Sequence, residues 1–228
     1  MTNDLTERWA RVWSDHLSTV QTATGTPVED WRVGGRRTKA QPDGETVDFW
    51  QAEGLRQVEE YLKWYERTGW AIATMPDAKP AIEWQAEVQF GDARIRLIVD
   101  SIYEISPNPA PDQLVIVDYK TGQRAQNPIQ LGLYASAIEK VYGIRPKWGG
   151  YYMSRKGELD DLIDLTPWGI DYYEYQFGAM NAYIDTGWFP PSPGDHCSYC
   201  SFSQYCVATN GSKSSDYPLI QITKEMMK

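Results

Sequence analysis

Apolar side chains recur at three and four positions across residues 48–67, where Trp50, Leu55, Val58, Tyr61, Leu62 and Tyr65 form the inward stripe of an amphipathic helix. Thr68-Gly69 ends it. Upstream, Trp9, Val12, Trp13, His16, Leu17 and Val20 predict a second helix that runs into a polar loop around Gly34-Gly35-Arg36-Arg37. Residues 75–80 read as a turn-rich connector. From 81 to 105 the period changes to two: Ile82, Trp84, Ala86, Val88 and Phe90 share one face, Gly91-Asp92 makes a hairpin turn, and Ile95, Leu97 and Val99 resume the alternation. A Pro-rich loop leads to the unbroken apolar run 114–117, suited to a strand buried on both faces. Residues 130–142 are helical, with Leu131, Tyr134, Ile138 and Val141 inward, and 148–153 form a strand with a partner near 161–165. Thr166-Pro167 reads as an N-cap with proline in the first turn of a helix reaching about Thr186. No internal repeat is visible.

With 228 residues, one principal core is expected, divided into an N-terminal helical region (1–80), a central core (81–186) and a Cys-rich segment with a polar tail (187–228). A composition of 42% hydrophobic and 23% charged residues can bury that core, and ten Trp and fifteen Tyr make it strongly aromatic. The net charge of −9 removes any general attraction for phosphate, so a nucleic-acid partner must be met by a local basic patch. Apolar runs fall far short of the roughly 20 residues that cross a bilayer, and the N-terminus lacks a signal-peptide layout, so a soluble cytoplasmic protein without membrane contact is expected. Cys197, Cys200 and Cys206 lie within ten residues of one another, unlike the staples of a secreted domain. A metal site or cluster is the better reading of them.

The chemistry concentrates between Asp100 and Tyr134. Asp118 and Lys120 sit two apart at the end of a strand and therefore share a face. If the preceding strand pairs with it, Asp100 joins them. Two carboxylates about 4 Å apart repel by roughly 4 kcal/mol at an effective dielectric near 20, so the cluster calls for a cation. Oxygen ligands with room for water suit Mg²⁺ or Mn²⁺, which activate water and stabilise charge on a phosphoryl oxygen, and the Lys120 ammonium can hold that water or offset charge. An Asp-x-Lys alone is most often a solvated ion pair. Here it stands in an ordered set: Val99-Asp100, then Ile116-Val117-Asp118-Tyr119-Lys120-Thr121-Gly122, then Gln130-Leu-Gly-Leu-Tyr134 opening a helix.

That set resembles the PD-(D/E)XK nuclease superfamily, in particular its RecB-like branch, which includes the CRISPR-associated iron-sulfur exonucleases of the Cas-four type. The resemblance runs from about Glu83 to Cys206. It implies an α/β (α+β) restriction-endonuclease-like core, a mixed central sheet flanked by helices, with the Cys-rich segment packed on the N-terminal helical region. It further implies that Asp100 and Asp118 bind the metal, that the Tyr119 backbone carbonyl can add a ligand, that Lys120 serves catalysis, and that Gln130 and Tyr134 contact the active site or a DNA strand. Glu87 occupies a position where relatives often carry a glutamate, and is either a further ligand or a surface strand residue. Many relatives place a metal-binding histidine on an upstream helix; the matching helix here has none, and Glu53, Gln57 or Glu59 are candidate substitutes.

Cys197-x2-Cys200-x5-Cys206 presents soft thiolates that select zinc or an iron-sulfur cluster. The resemblance favours 4Fe-4S, but the upstream cysteine that completes such a site is missing; His196, His16, Asp15, an exogenous ligand or a neighbouring chain are the alternatives, as are zinc or three reduced thiols. Basic candidates for DNA contact are Arg32, Arg36, Arg37 and Lys39 in one run, and Lys120, Arg124, Lys140, Arg145 and Lys147 around the site; Trp31, Tyr151 and Tyr152 are candidates for base stacking. The leading expectation is a metal-dependent nuclease, an exonuclease on single-stranded or end-containing DNA, with recombination or replication proteins as partners. The rivals are a non-catalytic nucleic-acid-binding or scaffold protein with the same fold, and a zinc-ribbon-like interaction module, which leaves the DYKTG segment unexplained.

Overall fold

A computed structural model of the chain describes residues 2–31, 34, 37, 39, 42–106, 113–122, 127–189 and 191–216. Arg32, Arg36 and Arg124 therefore lie outside the described residues. Helix α1 spans Thr2–Thr24 and α2 spans Val47–Thr68. The Thr46 side chain caps α2 by accepting from the Phe49 N–H, and Gly69, at φ 64°, turns the chain out of it. The strands are β1 (Ala71–Ile72), β2 (Ile82–Phe90), β3 (Ala93–Glu104), β4 (Leu114–Lys120), β5 (Trp148–Met153), β6 (Glu158–Leu159) and β7 (Ile163–Asp164). Helix α3 (Ile129–Tyr142) crosses between β4 and β5, and α4 (Ile170–Thr186) follows β7.

The strands form one mixed sheet: β3 pairs antiparallel with β1, β2 and β4, β4 pairs parallel with β5, and β5 pairs antiparallel with β6 and β7. Only a crossover connection can join parallel neighbours, and α3 is that crossover. The 114–117 run is buried on both faces as its composition requires: Ile116 packs in a core with Leu131, Ala135 and Ile138 of α3, and Val115 and Val117 pack with Trp64 of α2. The molecule is thus a mixed α/β sheet between helical layers, the restriction-endonuclease-like arrangement.

Two local expectations change. Helix α4 begins at Ile170 with Gly169 as its N-cap, because Asp164 Oδ1 accepts from the Thr166 N–H and hydroxyl and holds 164–166 in a turn. Val141 is 45% exposed; α3 turns almost every other side to the protein, and Gly132 lets it approach α4 so closely that a Cβ there would stand 2.6 Å from Tyr173 Oη. The Cys-rich segment folds into short 3-10 turns that touch one another. Hydrogen bonds such as Lys213 N–H to Gln204 O and Gly211 N–H to Cys206 O close it on itself.

Candidate active site

The site forms where β3 and β4 part. Their ladder ends at the Ser101–Val117 pair, so the next residues in register, Asp100 and Asp118, stand across from each other. β2 and β3 change their burial pattern at the same place. Trp84 and Val99 are register partners in the α3-side core, whereas Ile82 and its partner Ser101 line the space beneath α1 and α2. Between these pairs stand Glu83, at φ 50°, and Asp100. A non-glycine residue in that backbone region is uncommon, and here it switches the alternation from one face to the other. Asp100 is thereby released from the regular pleat, and its Oδ2 accepts from the Tyr119 N–H at 2.8 Å, the bond that the lost ladder would otherwise supply.

Asp118 faces α3 and is 3% exposed. Burial pushes its carboxyl above the ordinary aspartate range, the Lys120 ammonium pulls it down, and the charge of Asp100 pushes it up again. Lys120 Nζ stands 2.6 Å from Asp118 Oδ2. That contact gives a charge partner to an oxygen with almost no accessible surface. The ammonium also donates to Gln130 Oε1 at 3.2 Å, and Gln130 Nε2 donates to the Tyr134 hydroxyl at 2.7 Å. Four of the residues singled out in the sequence are therefore joined in one chain across the strand end and the first turn of α3. Burial first, then the fields of Asp118 and Asp100, push the Tyr134 phenol up to about 12.

A buried carboxylate beside a second acid is the donor chemistry of a hard divalent ion. Asp100, Asp118 and the Tyr119 carbonyl fit such an ion. In an extended strand a residue's C=O points to the same side as its N–H, so the Tyr119 carbonyl is presented towards Asp100. Among the described residues no group of three His, Cys, Asp or Glu closes on a metal-sized point, so most of the coordination would fall to water, as Mg²⁺ prefers.

Other expected members stand elsewhere. Glu87 faces Arg96 in the register and pairs with Arg94 at 3.3 Å, roughly 13 Å along the strand from Glu83, so it is not brought to Asp100. Glu83 is the acid opposite Asp100; its backbone conformation, which marks the site, has no signature in the sequence. Of the substitutes for the absent histidine, Glu53 is engaged by Arg56 and Gln57, and Gln57 lines the same cleft as Asp100. Lys140 and Arg145 lie at or beyond the far end of α3, about 15 Å from Gln130, where Lys140 pairs with Glu174 and Arg145 with Glu139. Lys147 lies over the Trp148 ring. Tyr151 and Tyr152 are 0% and 1% exposed, so neither can stack a base. Arg155, not anticipated, reaches the strand end by donating to the Thr121 carbonyl at 2.7 Å.

The thiols of Cys197, Cys200 and Cys206 are free and partly buried, and do not converge with each other or with His196 on a metal-sized point. Backbone hydrogen bonds from the Ala208 region lower the Cys206 thiol. With three cysteines in the chain, its own thiols cannot complete an all-cysteine 4Fe-4S site. His16 and Asp15 sit on α1, away from these turns in sequence and element.

Sheet, crossover helix and the acid pair with its lysine are the features on which the sequence resembles the PD-(D/E)XK superfamily. The family model of the PD-(D/E)XK nuclease superfamily matches residues 28–207, and the chain belongs to that superfamily. Two curated relatives are both named Gene 69 protein. That of Mycobacterium phage D29 is 33% identical over 159 residues, covering 67% of this chain and 57% of the relative; that of Mycobacterium phage L5 is 29% identical over 178 residues, covering 67% and 60%. The chain thus spans somewhat under two thirds of the length of these relatives.

Proposed function

We propose that the protein is a Mg²⁺- or Mn²⁺-dependent deoxyribonuclease of the RecB-like kind, hydrolysing phosphodiesters as an exonuclease on single-stranded or end-containing DNA. The observation that carries this is the buried Asp118 carboxylate, across from Asp100 at the end of the ladder and ion-paired at 2.6 Å with Lys120. Asp100, Asp118 and the Tyr119 carbonyl would hold the ion, which when bound supplies an activated water and offsets charge on the phosphoryl oxygens. Lys120 holds the water or the developing negative charge, and Gln130, itself braced by Tyr134, fixes the ammonium's position. Glu83 is placed to orient a water on the ion. Arg124, four residues after Lys120 in the sequence, is assigned to the DNA backbone. The helical region, core and Cys-rich segment act as one unit, and recombination or replication proteins are the partners suited to an end-processing enzyme.

A non-catalytic DNA-binding protein of the same fold is the second reading, favoured because among the described residues no third metal-binding side chain joins the acid pair. End-labelled single and double strands incubated with each metal decide between them. Cleavage that stops with EDTA and in folded Asp118→Ala and Lys120→Ala variants supports the nuclease; binding without cleavage in Mg²⁺ and Mn²⁺ supports the alternative. Iron in an anaerobically purified sample, with its absorption band, would require a ligand from outside this chain's cysteines.

A further inference from the structure

The reaction above leaves a large space beside the carboxylates unused. A cleft of about 710 Å³ lies between α1, α2 and the sheet, with Glu83 and Asp100 on its wall and Trp9, Trp13, Trp50 and Tyr61 making much of the remainder. Trp9 and Trp13 stack with centroids 5.5 Å apart and planes 25° from parallel. Trp9 is fixed twice: its indole N–H donates to Gln51 O at 2.8 Å, and its ring lies so close over Gly54 that a Cβ there would stand 2.5 Å from Cζ2. Trp13 is not fixed in that way. Its indole N–H is buried without a hydrogen-bond partner among the described residues, so no polar contact holds the ring in place. The Arg155 guanidinium lies 4.9 Å from the centre of the Trp50 ring.

We propose that this cleft is a nucleobase subsite, in which the unstacked terminal base of a single DNA strand lies against the Trp13 ring while its phosphate reaches Asp100. Flat rings, with the metal-binding Asp100 and Glu83 on one wall, match the base and the ion-bound phosphate of a nucleotide; an aliphatic ligand would leave the flat ring faces unused. The inference rests on the nuclease reading for the position of the phosphate, and it narrows the substrate to strands whose end is free of its complement. Stacking on an aromatic ring is sequence-tolerant, so no base preference is expected.

The full chain, in Ca²⁺, is titrated with a single-stranded oligonucleotide carrying 2-aminopurine at its end. Stacking quenches the probe, and Trp13→Leu, which keeps apolar bulk but removes the ring, is expected to weaken binding about tenfold and abolish the quench. Trp13→Phe restores part of the quench. Should Trp13→Leu fail to fold, photocrosslinking of a terminal 5-iodouracil to the wild-type protein gives the same answer: a crosslink within 9–13 supports the subsite and one confined to other segments overturns it. No quench by the wild type, or equal quench and affinity in folded Trp13→Leu, also overturns it. The two readings fail separately. Quenching without cleavage in Mg²⁺ or Mn²⁺ removes the nuclease and keeps the subsite, whereas cleavage by Trp13→Leu with the wild-type KM and quench removes the subsite and keeps the nuclease.

Discussion

At Asp118, burial and the neighbouring Asp100 charge oppose ionisation while the Lys120 ammonium favours it. Removing the amine leaves a buried carboxylate with less compensation, so Lys120→Ala is expected to destabilise the metal-free protein by about 1–3 kcal/mol, read from urea unfolding. Mn²⁺ should then recover more stability in that variant than in the wild type. Glu53 behaves in the opposite sense. Arg56, with help from Gln57, holds its carboxyl down at about 2, against an ordinary 4.5. Because the folded value lies below the unfolded one, this stabilisation is complete above the ordinary value and is lost as pH falls from about 4.5 towards 2. Arg56 is 43% exposed, so solvent screening limits the effect to about 1 kcal/mol or less. Glu53→Gln should flatten the melting temperature against pH in that window; an unchanged acid limb would contradict the assignment.

At the scale of elements, the acid pair is supported from behind by a chain of hydroxyls. Tyr61 and Tyr103 are joined at 2.8 Å, Tyr103 and Tyr119 at 2.6 Å, and Ser101 donates to Tyr119 at 3.0 Å, tying α2 to β3 and β4 beneath the residue whose N–H holds Asp100. Tyr119→Phe removes two of these bonds while keeping the ring and the backbone donor. It is expected to cost about 1 kcal/mol in thermal unfolding and to leave metal binding in place. The other face depends on close approach of helices. Gly132→Ala would drive a methyl into Trp168 and Tyr173, a loss of about 1–3 kcal/mol, and would shift the start of α3 that carries Gln130. Cleavage should fall with stability in that variant, as measured by melting and by initial rate on one oligonucleotide.

For the whole molecule, a divalent ion that binds the folded protein alone stabilises it by mass action, by about 2.7 kcal/mol at one hundred times its dissociation constant. A rise in melting temperature with Mg²⁺ or Mn²⁺ that is absent in Asp118→Ala is the expected result, and an equal rise in that variant would place the ion elsewhere. The net charge of −9 means that any DNA affinity arises locally, through the ion and a few side chains. No helix among the described residues is long and apolar enough to cross a membrane.

Local periodicity and strand-end chemistry were legible in the chain itself. The period of 3.6 marked α2 and α3, the period of two marked β2 and β3, and the unbroken run marked β4, because burial on one face or two writes itself directly into residue order. The ordered acids, lysine, glutamine and tyrosine pointed to one site, since strand and helix spacing fix which side chains share a face. Nothing local could show that Glu83, rather than Glu87, stands opposite Asp100: pairing register is set by partners distant in sequence, and a backbone at positive φ leaves no residue signature when it is not glycine. Charge along the chain likewise could not tell that Lys140 and Arg145 are engaged by Glu174 and Glu139 at the far end of α3, or that Tyr151 and Tyr152 are sealed in the core. The aromatic cleft beside the acids exists because α1 and α2 meet the sheet across long stretches of chain, and a non-local surface of that kind is decided by tertiary packing alone.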